Sequence, residues 1–215
     1  MKNLSEKRVS GEIFVKRFCE KFGIDMNFSL VFSANVEITG TNIIKLTNIN
    51  PYHLYRIFPQ VKELFMFVKY NSTPYVITVR IKKVDTDHIL AEIKNEEIYK
   101  DKRRFHRFYF CCKDIGDFSI EKNGKIITKS ACIQELSRGG AGILNPEINT
   151  VKEGDIIRLE NFEDELSLEV KILYRKPKGK FDILGGEIIN SNKNLINYVI
   201  KKYIKVSKDL IEKAG

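Results

Sequence analysis

Residues 118–144 read FSIEKNGKIITKSACIQELSRGGAGIL. Asn123-Gly124 stands between two runs rich in β-branched and aromatic side chains, and both residues tolerate the positive φ of a two-residue hairpin turn. The second run, KIITKSACIQ, ends in Glu135-Leu136-Ser137-Arg138-Gly139-Gly140, after which GAGIL begins a third apolar run. A serine beside two glycines offers a hydroxyl, exposed amides and a backbone free to turn sharply. The spacing therefore predicts strand, turn, strand, turn, strand in antiparallel order.

The same grammar continues toward the C-terminus. DIIRL, ELSLEVKILYR and KFDILGGEII follow, with Lys178-Gly179 as a further turn. Residues 192–212 change period: Leu195, Ile196, Val199, Ile200, Tyr203, Ile204 and Leu210 keep near-helical spacing, with Lys201, Lys202, Lys205 and Lys208 as a solvated face.

Upstream, period two sets in at residue 28. FSLVFS, ANVEI, NIIKL, ELFMFVKY, YVITVRIKKV and HILAEI are short strand-like runs, with reversals at Asn71-Ser72-Thr73-Pro74 and Asp85-Thr86-Asp87. NPYHLYRIF (50–58) predicts one helical turn with Asn50 as cap, Pro51 at its first position and Pro59 as its stop. Residues 10–23 predict a helix whose core face is Phe14, Phe18 and Phe22, four residues apart, with Ser10 as N-cap and Gly23 as stop. Residues 94–107, KNEEIYKDKRRFHR, have few large apolar groups and mark the domain boundary. The expected fold class is mainly β. Residues 1–97 form a small antiparallel β domain with one or two helices, and residues 98–215 an antiparallel β-barrel with a C-terminal helix.

Composition narrows the function. The chain of 215 residues is 43% hydrophobic and 30% charged, a soluble globular profile. No apolar run reaches the ~20 residues needed to span a bilayer. The start, MKNLSEKRVSGE, lacks a secretory apolar core, so a cytoplasmic protein is expected. Cys19, Cys111, Cys112 and Cys132 have no CxxC pair and no histidine at metal spacing, and read as packed thiols in a reducing compartment, with no metal and no cofactor. His53, His88 and His106 are scattered, and no P-loop, GxSxG, HExxH or Rossmann glycine pattern occurs, so no enzyme is expected.

The net charge of +9 suits an anionic partner. Both halves are almost equally basic, but residues 100–107, KDKRRFHR, hold five cations against one acid. Within them Arg103 and Arg107 form an RxxxR pair. A guanidinium grips phosphate bidentately, and the same fork fits the O6/N7 edge of guanine. Taken alone, RxxxR also reads as a solvated linker, and ELSRGG as a plain β-turn.

Together, about 30 residues apart and in this order, the two resemble the PilZ domain family, whose pattern is RxxxR followed by [D/N]xSxxG. The resemblance covers residues 100–212; the β-rich domain ahead of it resembles the two-domain flagellar-brake type in layout only. It implies a receptor for cyclic di-GMP. Arg103 and Arg107 would grip guanine edges and phosphates, with Arg104 as auxiliary, while Ser137, Arg138, Gly139 and Gly140 line the opposite side. The family's Asp or Asn is Glu135 here, a longer carboxylate that would accept from guanine N–H groups. Implied partners are the ligand and a downstream protein of flagellar-motor or polysaccharide-export type. Two alternatives stay open: a PilZ fold that has lost its ligand and binds proteins, favoured by Glu135, and a basic barrel for single-stranded nucleic acid. The latter has only Phe105, Phe108 and Tyr109 as stacking groups among the cations.

Overall fold

The computed structural model describes residues 7–70, 73–99 and 106–214. It is mostly antiparallel β-structure, in two compact units. One comprises residues 1–15, 29–102 and 207–215; the other comprises 16–28 and 103–206.

The first unit is a closed barrel. Its strands are β1 (Lys7–Cys19), β2 (Ile24–Ile38), β3 (Ile43–Asn50), β4 (Glu63–Tyr70), β5 (Thr73–Val84) and β6 (His88–Ile98), in the order β1-β2-β3-β6-β5-β4. Alternate residues point inward, so cross-strand pairs meet in the core: Leu46 with Ile89, Ile44 with Ala91, Leu64 with Val79, Met66 with Ile77. All eight are almost fully buried. Between β3 and β4 the chain makes two 3₁₀ turns, Tyr52–Arg56 and Phe58–Gln60, seated by buried Leu54 and Phe58. Asn50 ends β3 instead of capping a helix, and Pro59 lies inside the second turn instead of stopping the first.

The helix expected over 10–23 is absent; Lys7–Cys19 is strand β1. Four residues is close to one helical turn and is also two strand repeats, so Phe14 and Phe18 share a face in either geometry. The strand's buried face is the other one, Val9, Gly11 and Ile13, and the phenylalanines point outward, Phe18 with 57% of its surface exposed. Phe14 meets Phe65 of β4 edge-on there, 5.4 Å between ring centres.

The second unit begins with β7 (Phe108–Tyr109) and the one-turn helix α1 (Cys112–Ile115). It continues through β8 (Phe118–Lys122), β9 (Lys125–Leu136), β10 (Gly140–Asn145), β11 (Ile156–Asn161), β12 (Leu166–Lys178) and β13 (Phe181–Ser191). The sheet order β10-β13-β12-β11-β8-β9 closes on itself through a β9–β10 pairing, with β7 laid along the last residues of β9. The expected hairpin is present: Asn123 and Gly124 take φ +52° and +74° between paired Lys122 and Lys125. Ile120, Ile133, Ile143, Leu159, Leu168 and Leu184 fill the barrel.

Helix α2 runs Leu195–Lys213, its start fixed by the Asn194 side chain accepting from the Asn197 N–H at 3.1 Å. Leu195, Val199, Val206 and Ile211 are buried, whereas Ile196, Ile200 and Ile204, expected on the core face, form an exposed row. Among the described residues no helix is long and apolar enough to cross a membrane.

Candidate ligand-binding site

Lys102, Arg103, Arg104 and Phe105 lie outside the described residues, so half of the RxxxR pair carries no structural statement. Arg107 is described, and it reaches the other motif. Its guanidinium donates to a carboxylate oxygen of Glu135, 28 positions along the chain. Pairing of Phe108 with Leu136 and Tyr109 with Glu135 lays β7 along the end of β9, which is what delivers Arg107 there. The Arg107 side chain keeps 38% of its surface exposed and Glu135 only 18%. Nearby, His106 meets Phe108 at 4.8 Å and Phe108 meets Tyr203 of α2 at 5.2 Å, so this short segment is held by aromatic packing on its inner side.

Residues 137–140 form the tight connection from β9 to β10. The Ser137 N–H donates to the Gly140 carbonyl at 2.9 Å. Its hydroxyl accepts from the Gly140 N–H at 3.1 Å and from the Gly139 N–H at 3.4 Å, and donates to the Gly140 carbonyl. Ser137 is buried at 6% exposure, so its hydroxyl serves the turn itself. What the turn presents outward is the exposed side chain of Arg138.

One row of residues runs across five strands at this level. Tyr109 pairs with Glu135, Glu135 with Gly142, Gly142 with Gly185, and Gly185 with Tyr174. Directly paired residues share a face of the sheet, here the outer one. The two glycines make a floor without side chains, and neighbours from both sides lean over it. A Cβ on Gly142 would lie 3.2 Å from Cγ of Glu135, and one on Gly185 only 2.0 Å from the Tyr174 ring. Tyr174 itself is 49% exposed. The bulge between Ile172 and Tyr174 in β12 brings the ring to this row. The glycines at 139, 140, 142, 185 and 186 stand in the sequence, but their meeting with Tyr174 depends on strand order and a bulge. The signal present in the sequence is the glycine spacing itself, Gly140 and Gly142 in one run and Gly185-Gly186 in another.

An open groove of about 920 Å³ lies in the first barrel, lined by Lys62, Glu63, Arg80, Lys82 and Lys83 among others. It contains no motif residue, and Arg80, Lys82 and Lys83 are already paired with Glu63, Glu92 and Asp85. Among the described residues no group of three or more His, Cys, Asp or Glu side chains could hold a metal ion.

No protein-family model matches the chain, and no curated protein matches it. Solved structures do. The inhibitor of motility MotI/DgrA of Bacillus subtilis is 13% identical, aligning over 95% of this chain and 98% of its own, with a TM-score of 0.40. YcgR of Escherichia coli, solved in complex with c-di-GMP, is 10% identical over 96% of this chain and 87% of its own, TM-score 0.39. PlzA of Borreliella burgdorferi, also in complex with c-di-GMP, is 12% identical over 93% and 88%, TM-score 0.34. At these scores what those proteins bind stays with them, and the function of this chain is read from its own residues.

Proposed function

We propose that the chain is a non-enzymatic receptor for cyclic di-GMP, working in the cytoplasm, whose ligand site spans the RxxxR segment and the outer face of the second barrel. The observation that carries the reading is the meeting of Arg107 with Glu135 beside the serine–glycine turn, since it unites two motif halves separated in sequence. Arg107 and Arg103 supply bidentate contacts to phosphate and guanine, and Arg104 adds charge. Arg138 and the Gly139–Gly140 backbone face the ligand from the turn, with Ser137 holding that turn in shape. Tyr174 and the Gly142–Gly185 floor offer a flat surface for a purine ring.

The two-domain division is taken at residues 97–98. Ligand binding engages the segment just after it and so changes the arrangement of the domains, which a downstream protein of motility or polysaccharide-export type then reads. A ligand can do this only through unequal affinity for the two arrangements. Calorimetric titration with cyclic di-GMP, against GTP and cyclic di-AMP, tests the reading. Saturable binding of cyclic di-GMP that Arg107→Ala weakens by about tenfold to a hundredfold is expected, since one charge-assisted contact is worth ~1.5–3 kcal/mol. Equal titration curves for the wild type and Arg107→Ala would remove the site assignment.

One observation favours a second reading. With Arg107 already neutralised by Glu135, the fold can serve as a protein-interaction module that binds no nucleotide. The absence of any heat with cyclic di-GMP, for both the wild type and Glu135→Gln, would select it.

A further inference from the structure

All four cysteines, scattered at 19, 111, 112 and 132, converge in one buried cluster with Leu144 and Phe181, flanked by Phe22, Ile24, Met26 and Ile183. The Sγ atoms of Cys19 and Cys112 are 3.6 Å apart. Cys19 closes β1 at the tip of the β1–β2 hairpin, and Cys112 opens α1, 93 positions later. A free thiol is a weak donor as well as a small hydrophobe, and here sulfur meets sulfur across segments far apart in sequence.

We propose that Cys19 and Cys112 are an oxidisable pair, which a peroxide converts to a disulfide fastening the 16–28 hairpin to the α1 segment of the second unit. This does not depend on the ligand reading.

Three ion pairs hold the two segments in place for it: Arg17 with Asp114 at 2.5 Å, Lys21 with Asp117 at 2.6 Å and Lys113 with Glu20 at 2.8 Å. They tie the hairpin tip to residues 113–117, so closing the sulfurs to a bond of about 2.05 Å needs a shift of only ~1.5 Å. The remaining two thiols are less available. Cys111 serves as the N-cap of α1, and Cys132 lies within β9 with no exposed surface.

The roles within the pair differ. Hydrogen bonding from the Cys132 thiol lowers the Cys112 thiol to about 7; burial opposes this, and the Cys19 thiol and the Lys21 charge assist it. Burial, then hydrogen bonds with Cys111 and Cys112, push Cys19 up to about 12. Cys112, also the most accessible of the four, is therefore the thiolate that attacks. Its sulfur takes one oxygen of hydrogen peroxide, the O–O bond breaks, and the other oxygen leaves as water, giving a sulfenic acid at Cys112. The Cys19 sulfur then attacks the Cys112 sulfur; the S–O bond breaks, a second water leaves with the Cys19 proton, and the S–S bond is formed. Two thiols have been oxidised and one peroxide reduced to two waters.

The test is treatment of the full chain with limiting hydrogen peroxide, then alkylation of remaining thiols and mass analysis. The expected product has lost two hydrogen atoms and yields one linked tryptic pair, Phe18–Lys21 (FCEK) with Phe108–Lys113 (FYFCCK), undone by dithiothreitol. Oxidised protein should melt several degrees higher than reduced protein, because the link closes a long loop. The link should persist in Cys111→Ser and vanish in Cys112→Ser. Oxygen added without a link, a link that survives Cys112→Ser, or four thiols still alkylated after treatment each overturn the proposal.

Discussion

Glu135 occupies the guanidinium that an anionic ligand would also use. A partly exposed ion pair is worth at most about 1 kcal/mol, so the ligand's phosphate can displace it, but the carboxylate then stays close by as a like charge. Glu135→Gln keeps an oxygen that can accept from a guanine N–H, and it releases Arg107. Cyclic di-GMP should therefore bind Glu135→Gln about 2–5-fold more tightly, by the same calorimetry that gives the wild-type constant. A tenfold loss instead would make the carboxylate an essential contact. Tyr174 is a second residue with a separable role. Its ring rests on Gly185 and is half exposed, and a base stacked on an aromatic ring is worth ~1–3 kcal/mol. Tyr174→Ala should weaken binding by about fivefold or more while leaving the far-ultraviolet circular dichroism unchanged. Unaltered affinity in that variant would remove Tyr174 from the site.

At the scale of the element, β1 separates two readings of one sequence. Ile13 is fully buried and Phe18 is largely exposed, the reverse of what a helix with a phenylalanine core face requires. In chemical denaturation Ile13→Ala should cost about 2–5 kcal/mol, whereas Phe18→Ala should cost less than ~0.5 kcal/mol. Similar losses at the two positions would argue for the helical arrangement. The ambiguity has a physical origin, because Phe14 and Phe18 fit both periods, and what separates the two is the burial of β-branched Val9 and Ile13 on the opposite face. The strands of the second barrel were legible, because Asn123-Gly124 and Lys178-Gly179 carry local turn chemistry that names its own geometry. The two motif halves are short stretches with distinctive side chains, and the structure adds the pairing of Arg107 with Glu135. The Tyr109–Glu135–Gly142–Gly185–Tyr174 row was not legible, since it joins five strands whose order and bulge are tertiary facts. Cysteine convergence belongs with it: spacing of 19, 111, 112 and 132 carries no hint of a shared cluster.

At the scale of the whole molecule, the chain passes from one compact unit to the other four times, at 15–16, 28–29, 102–103 and 206–207. The ligand would act on one of these passages, the polar segment 98–107, which the sequence supplies with lysines and arginines and few groups to bury. Bound cyclic di-GMP would hold Arg103 and Arg107 from one side and residues 138–140 from the other, and so slow exchange along this segment. At ~100 times its dissociation constant a ligand stabilises the bound arrangement by about 2.7 kcal/mol, enough to dominate two arrangements of nearly equal free energy. Hydrogen exchange with and without the ligand measures this directly. Strong protection is expected at 98–108 and 135–142, and little change in β4 and β5, whose ladder in the first barrel is complete without it. Protection confined to 135–142, with 98–108 still exchanging freely, would mean that the ligand binds without clamping this passage. The signal would then have to leave through the surface of the second barrel alone.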